Sequence, residues 1–262
     1  MKRLVITDWC HERIRQIFLA DKNAGACETA SACPSDIPDS EGQGKERSLF
    51  IDATAGAGKD TLFLCELLGE AGGEVLAMDI QELALAKTKR RLEAAGYVAL
   101  TAADIAFSGN VPELESHIGS ETETPDKIRA TDGAYRAELC DATGKKRVRL
   151  ALRGHEHMDE YFPAETVDLI LFNLGYLPGG DHSLATKADT TIPALTKALS
   201  LLRPGGLLSL MIYSGGDSGF EERDRVLAWL RELDPQRYLV LVEAFYNRPN
   251  NPPLPVFVRK LF

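Results

Sequence analysis

Apolar residues come in short blocks along this chain, and the spacing changes from block to block. Ser48 to Ala53, Gly73 to Asp79 and Val167 to Phe172 hold compact apolar runs that predict buried strands. Stretches with helical spacing lie between them. Thr7 to Leu19 predicts a helix capped by Thr7 or Asp8, with Trp9, Ile14, Ile17 and Phe18 as its apolar positions. Asp60 to Leu68 and Glu82 to Ala95 predict the next two helices, the second stopped by Gly96. Arg147 to Leu152 alternates as a strand, and His155 to Phe162 reads as a short helix. A helix over Thr190 to Leu202 precedes the turn Arg203-Pro204-Gly205-Gly206, the strand Leu207 to Tyr213 and a helix over Glu221 to Leu233. Tyr238 to Phe245 and Pro255 to Phe262 close the chain as strands.

Two segments interrupt this alternation. Lys22 to Lys45 is small and polar, with Pro34 and Pro38, and predicts a flexible insertion. Thr101 to Lys146 is polar and weakly periodic, and predicts a second insertion, either disordered or a lid. Strands alternating with helices imply an α/β fold with a mostly parallel sheet and helices on both faces. The last two strands have no helix between them, so an antiparallel hairpin is expected at one edge. The expectation is one domain over residues 1–262, with insertions at 22–45 and 101–146.

Composition narrows the classes. The 262 residues are 44% hydrophobic, enough for one substantial core, and no apolar run approaches bilayer-spanning length. An acid at Asp8 comes too early for a secretory signal. The five cysteines (Cys10, Cys27, Cys33, Cys65 and Cys140) are odd in number and lack metal-ligand spacing, so a reduced, cytoplasmic chain without a zinc site is expected. The net charge of −9 argues against non-specific nucleic-acid binding, although Lys87, Lys89, Arg90 and Arg91 cluster locally.

The first strand runs into Asp52-Ala53-Thr54-Ala55-Gly56-Ala57-Gly58-Lys59-Asp60-Thr61, a glycine turn before a helix. Gly56 and Gly58 would let backbone approach a ligand closely. A phosphate-cradling loop fails: Ala53 stands where its first glycine belongs and Asp60 where its hydroxyl belongs. The dinucleotide pattern fails at Thr61, where a third glycine is needed. S-adenosylmethionine has an ammonium, a sulfonium and no phosphate, and suits acids at Asp52 and Asp60. Asp79, ending the second strand, can accept from both ribose hydroxyls. Helix capping is the competing role for Asp52 and Asp60.

A third stretch, Phe172-Asn173-Leu174-Gly175-Tyr176-Leu177-Pro178-Gly179-Gly180-Asp181-His182, puts an amide, an aromatic ring and a glycine turn at the C-terminal end of a buried strand, where open α/β sheets bind ligands. With Met78 to Gln81, Gly154-His155-Glu156 and Tyr246 to Pro253, these segments resemble the YtqB/MnmM-type methyltransferases, first labelled rRNA methylases. The glycine turn of that family usually reads Gly-Asn-Gly-His-Asp-Thr, whereas this chain has Ala57 and Lys59. The resemblance implies a class I methyltransferase, a Rossmann-like sheet with an antiparallel edge hairpin. It implies S-adenosylmethionine as cofactor and the aminomethyl nitrogen of 5-aminomethyl-2-thiouridine, at the tRNA wobble position, as acceptor. It carries Thr54, Thr61 and Gln81 into the cofactor site with Asp52, Gly56, Gly58, Asp60, Asp79 and Asn173, and Gly175 into the substrate site.

In that chemistry the Asn173 side-chain oxygen accepts from the amine and orients it, the Leu174 carbonyl accepts a second hydrogen, and Tyr176 stacks on the base or shapes the pocket. Asp181 or His182 is the expected proton acceptor, with capping and surface roles as the alternative. His155 and Glu156 are expected at the cofactor, and no metal is expected. Thr190 is a helix cap or a substrate contact, and Asn247 lies in a loop that covers the base or simply turns a hairpin. The expected partner is tRNA, through its anticodon region, without a membrane; a homodimer is left open. Methylation of rRNA or a small amine is the first alternative, and a non-catalytic RNA- or cofactor-binding module the second.

Overall fold

The computed structural model describes residues 5–28, 47–101, 136–175, 186–214 and 219–262. The described residues form a nine-stranded sheet. In chain order its strands are β1 (Ser48–Asp52), β2 (Gly73–Asp79), β3 (Val98–Ala99), β4 (Arg136–Cys140), β5 (Lys146–Leu152), β6 (Val167–Asn173), β7 (Leu202–Ile212), β8 (Tyr238–Val242) and β9 (Leu254–Lys260). The spatial order is β3-β4-β5-β2-β1-β6-β7-β9-β8. The five central strands, β5 through β7, are parallel. Both flanks are antiparallel. The C-terminal hairpin is as expected, with β9 inserted between β7 and β8.

The helices are α1 (Ile6–Glu28), α2 (Lys59–Leu67), α3 (Glu82–Ala94), α4 (Ala188–Leu201) and α5 (Gly219–Arg231), with a 3-10 helix over His155–Glu160. Two apolar cores flank the sheet. Ile14 and Phe18 of α1 and Phe63 and Leu64 of α2 pack with Leu85 and Leu92 of α3 on Phe50, Val75, Ala77, Leu169 and Leu171. Leu195, Ala198, Val226 and Leu230 of α4 and α5 pack on Ile51, Leu76, Met78, Ile170 and Phe172. Strand side chains alternate between faces. Continuing that alternation from Phe50, Ala77, Leu171 and Met211 sends Asp52, Asp79, Asn173 and Tyr213 to the α1–α3 side, at the C-terminal ends of neighbouring strands.

Three expectations change. The first helix continues to Glu28 and takes in the start of the 22–45 segment. Ala20, Ala24 and Ala26 favour helix there, while composition alone suggested a loop. The rest of that segment lies outside the described residues. Trp9 is 38% exposed, and the buried stripe of α1 is Cys10, Ile14 and Phe18. The end of the 101–146 segment is a hairpin arm: β4 pairs with β5 across a turn in which Asp141 accepts from the Lys145 and Lys146 amides and from the Thr143 hydroxyl. That Asp-Ala-Thr-Gly turn was the overlooked signal. Residues 102–135 lie outside the described part. The 203–206 turn interrupts the β6–β7 ladder, where pairing steps from Val167–Leu202 to Leu169–Leu207.

Candidate active site

The glycine turn is fastened at both ends. Asp79 Oδ2 accepts the Gly56 amide at 2.9 Å, and Oδ1 accepts the Gln81 amide at 2.9 Å. Burial raises the Asp79 carboxyl above its ordinary range, against those amides. From α3, the Thr88 hydroxyl donates to Gly56 O at 3.3 Å, and Arg91 Nε to Ala57 O at 2.7 Å. Gly56 and Gly58 both have left-handed backbones, at φ 53° and 74°. A Cβ on Gly58 would stand 2.7 Å from the Thr88 Cα. Close approach of α3 therefore accounts for this glycine, where a ligand was the expected reason.

Asp52 and Thr61 also turn inward. Both are fully buried. The Thr61 hydroxyl donates to Asp52 Oδ2 at 2.5 Å, and the Thr54 amide to Oδ1 at 3.2 Å. Expected at the cofactor surface, these side chains instead brace the turn from beneath. Burial, and then the Asp60 charge, push the Asp52 carboxyl up to about 7. An acid whose pKa is raised on folding stabilises the fold least when ionised. Its stability contribution is full below the ordinary value of 3.8, falls as pH rises toward 7 and stays low above. D52N cannot ionise and can bond both threonines through its amide. It should exceed the wild type at pH 8 by on the order of a few kcal/mol, the gap closing as pH falls from 7 toward 4. Urea midpoints across that range measure it; a gap that stays constant would refute the ionisation account.

Asn173 ends β6. Its backbone amide donates to the Thr54 hydroxyl at 2.7 Å, and its side-chain Nδ2 donates to Asp60 Oδ2 at 3.1 Å. Asp60 Oδ1 meets His11 Nε2 of α1 at 2.7 Å. The His11 ring lies flat on Phe63, centroids 3.8 Å apart and planes 3° apart. Tyr213, just past β7, lies beside Thr7 and Asn173, and burial raises the pKa of its hydroxyl. A small cleft here is lined by Thr7, Cys10, His11, Asp60, Asn173 and Met211. Helix α1 therefore closes over the strand ends. Trp9 Nε1 and Arg13 Nε both bond Glu243, past β8, at 2.7 and 2.9 Å.

His155 opens the 3-10 helix after β5, tilted against Phe172 with ring centroids 5.5 Å apart. Its Nε2 is buried with no hydrogen-bond partner among the described residues, and burial lowers its pKa. Glu156, beside it, is half-exposed. Leu174 is buried and donates its amide to Met211 O at 2.9 Å. Gly175 is pinned by Thr186, whose hydroxyl accepts the Gly175 amide at 2.8 Å and donates to Glu222 at 2.8 Å. Tyr176, Asp181 and His182 lie outside the described residues. Thr190 is exposed and bonds Lys187 O within its own helix turn, at 3.1 Å. Asn247 is exposed in the β8–β9 connection. Ile212 pairs with Leu254, so this connection lies at the same sheet end as Asn173.

The sequence alone makes Trp9 an apolar position of the first helix and Thr7 a candidate cap, and gives His11 and Tyr213 no part in the site. The spacing Thr7, Cys10, His11, Ile14 marks one helix face and was the available signal. Among the described residues no three of His, Cys, Asp or Glu form a metal site, and no helix is long and apolar enough to cross a membrane.

Residues 128–259 match the family described as "Putative rRNA methylase". The chain belongs to this family. A protein from Clostridium thermocellum, solved as a crystal structure and described as a "putative rRNA-methylase", is 35% identical, with TM-score 0.60 over 83% of this chain and 90% of that one. SMU.1697c of Streptococcus mutans, described as "a putative methyltransferase" and solved in complex with SAH, is 32% identical, with TM-score 0.57 over 82% and 90%. These likenesses establish the class I methyltransferase fold. A chloroplastic tRNA (mnm5s2U34)-methyltransferase of Arabidopsis thaliana is 33% identical over 215 residues, 80% of this chain. The chain spans 62% of the length of that relative.

Proposed function

We propose that this family member transfers a methyl group from S-adenosylmethionine to the aminomethyl nitrogen of 5-aminomethyl-2-thiouridine at the tRNA wobble position. The observation that carries the reading is the amide of Asn173 at a strand's C-terminal end, held by Asp60 beside the turn that Asp79 fastens. The names of the Arabidopsis relative and of the family favour RNA as the substrate.

The residues fit the cofactor. Asp79 gives each oxygen one backbone amide and keeps further lone pairs to accept from a ribose diol. His155 keeps a buried Nε2 with no partner among the described residues, and in the tautomer protonated at Nδ1 it would accept from the amino group of adenine. Asp60 supplies negative charge where a cation belongs, with Gly56, Gln81 and Glu156 around the same edge. When bound, S-adenosylmethionine supplies an electrophilic methyl on its sulfonium. The chain's part is to bring a neutral amine to that position. Asn173 accepts one amine hydrogen and the Leu174 carbonyl a second. Asp181 or His182 takes the proton that an aliphatic ammonium sheds before attack. Gly175, Thr190 and Asn247 are the proposed base contacts, and Tyr176, outside the described residues, keeps its proposed role of stacking on the base or shaping the pocket.

Labelled S-adenosylmethionine and tRNA bearing 5-aminomethyl-2-thiouridine, with nucleosides read by mass spectrometry, test the reading. The expected result is conversion to the methylamino nucleoside. Cofactor binding without transfer to this tRNA would overturn the acceptor and turn the search to rRNA.

A further inference from the structure

We propose that His11, on the N-terminal helix, is a positioning residue that acts through Asp60 to fix the orientation of the Asn173 amide; the proposal rests on the N-methyltransfer reading above. An asparagine amide has two ends of nearly equal shape, and only its oxygen can accept a hydrogen from an amine. Its neighbours decide which end faces the substrate. Asp60 Oδ2 lies 3.1 Å from Asn173 Nδ2, and a carboxylate only accepts. The nitrogen is thereby held toward Asp60, which turns the oxygen to the opposite end of the amide.

Asp60 would swing without a second hold. His11 Nε2 supplies it on the other oxygen, at 2.7 Å. The two bonds use separate oxygens and so fix the plane of the carboxylate. The imidazole is fixed in turn. It stacks on the buried Phe63, and the Arg15 guanidinium also packs against that ring, 5.0 Å from its centroid. Trp9 and Arg13 bind α1 to Glu243 on either side of His11. A chain from Phe63 through His11 and Asp60 to Asn173 thus converts the seat of α1 into the direction of one amide oxygen.

Loss of His11 should fall on amine orientation and leave cofactor affinity in place. In the full chain, H11A should lower kcat about 10²-fold with KM for S-adenosylmethionine unchanged, the scale for a misplaced reacting group. H11Q should recover most of that loss, because its amide nitrogen reaches the position of the imidazole Nε2. Wild-type kcat in H11A would overturn the proposal. So would an H11Q as slow as H11A with an altered pH profile, which would make His11 a proton carrier.

A substrate-free measurement separates this proposal from the functional reading. The side-chain 15N amide resonance of Asn173, assigned by its loss in N173D, should move in H11A and return in H11Q. An unmoved resonance would overturn the positioning role. A wild type with no turnover on the tRNA, but with the resonance responding, would overturn the acceptor and keep the positioning chain.

Discussion

N173A should lose about 10³-fold in turnover while binding S-adenosylmethionine as the wild type does. The size follows from what the amide does: it aims a lone pair, and polar groups set in place at a reacting centre are worth about 10²–10³ in rate. Cofactor affinity should survive because the turn is fastened independently. Asp79 holds Gly56, Arg91 holds Ala57, and the Asn173 backbone keeps its bond to Thr54 whatever its side chain. N173D is the sharper variant. It is isosteric, yet it sets a second carboxylate against Asp60 and removes the donor on which the pair depends. It should be at least as slow as N173A. Single-turnover transfer with calorimetric cofactor binding measures both, and near-wild-type transfer in N173D would remove Asn173 from the chemistry.

G58A should be the most damaging small substitution in the turn. A left-handed backbone costs a side-chain-bearing residue about 1–2 kcal/mol, and overpacking against a helix adds about 1–3 kcal/mol. The atom in the way is the Thr88 Cα, 2.7 Å from the added Cβ. T88G therefore offers no relief, because the obstruction is backbone. Moving α3 aside would loosen the Thr88 and Arg91 bonds to the loop, so cofactor affinity should fall with stability. Denaturant midpoints and cofactor titration of G58A, alone and with T88G, check this. Full rescue by T88G would show that α3 does not approach as described.

Much of this architecture was legible because it rests on local spacing. Buried strands announced themselves as apolar runs, and Asn173 and Asp79 were found because each ends such a run. The hidden part depends on contacts across the chain. Asp52 and Thr61 read as cofactor contacts, yet they face each other beneath the turn, a fact fixed by strand alternation and by the arrival of α2. His11 meets Asp60 across 49 positions, and no local pattern carries that pairing. The β4–β5 hairpin was missed because its turn is polar and its strands short, so polarity outweighed the Asp141 signal.

The bonds from Trp9 and Arg13 to Glu243 join positions 234 and 230 residues apart. On the ribosome, the first helix emerges long before its anchor. At about 5–20 residues per second, roughly tens of seconds of synthesis separate them. Through that interval Phe63 and Asp60 are already available to His11, while the Trp9 and Arg13 bonds that brace its helix are still missing. The outer brace on the helix that carries His11 is thus a late acquisition, made only once the segment after β8 has been synthesised.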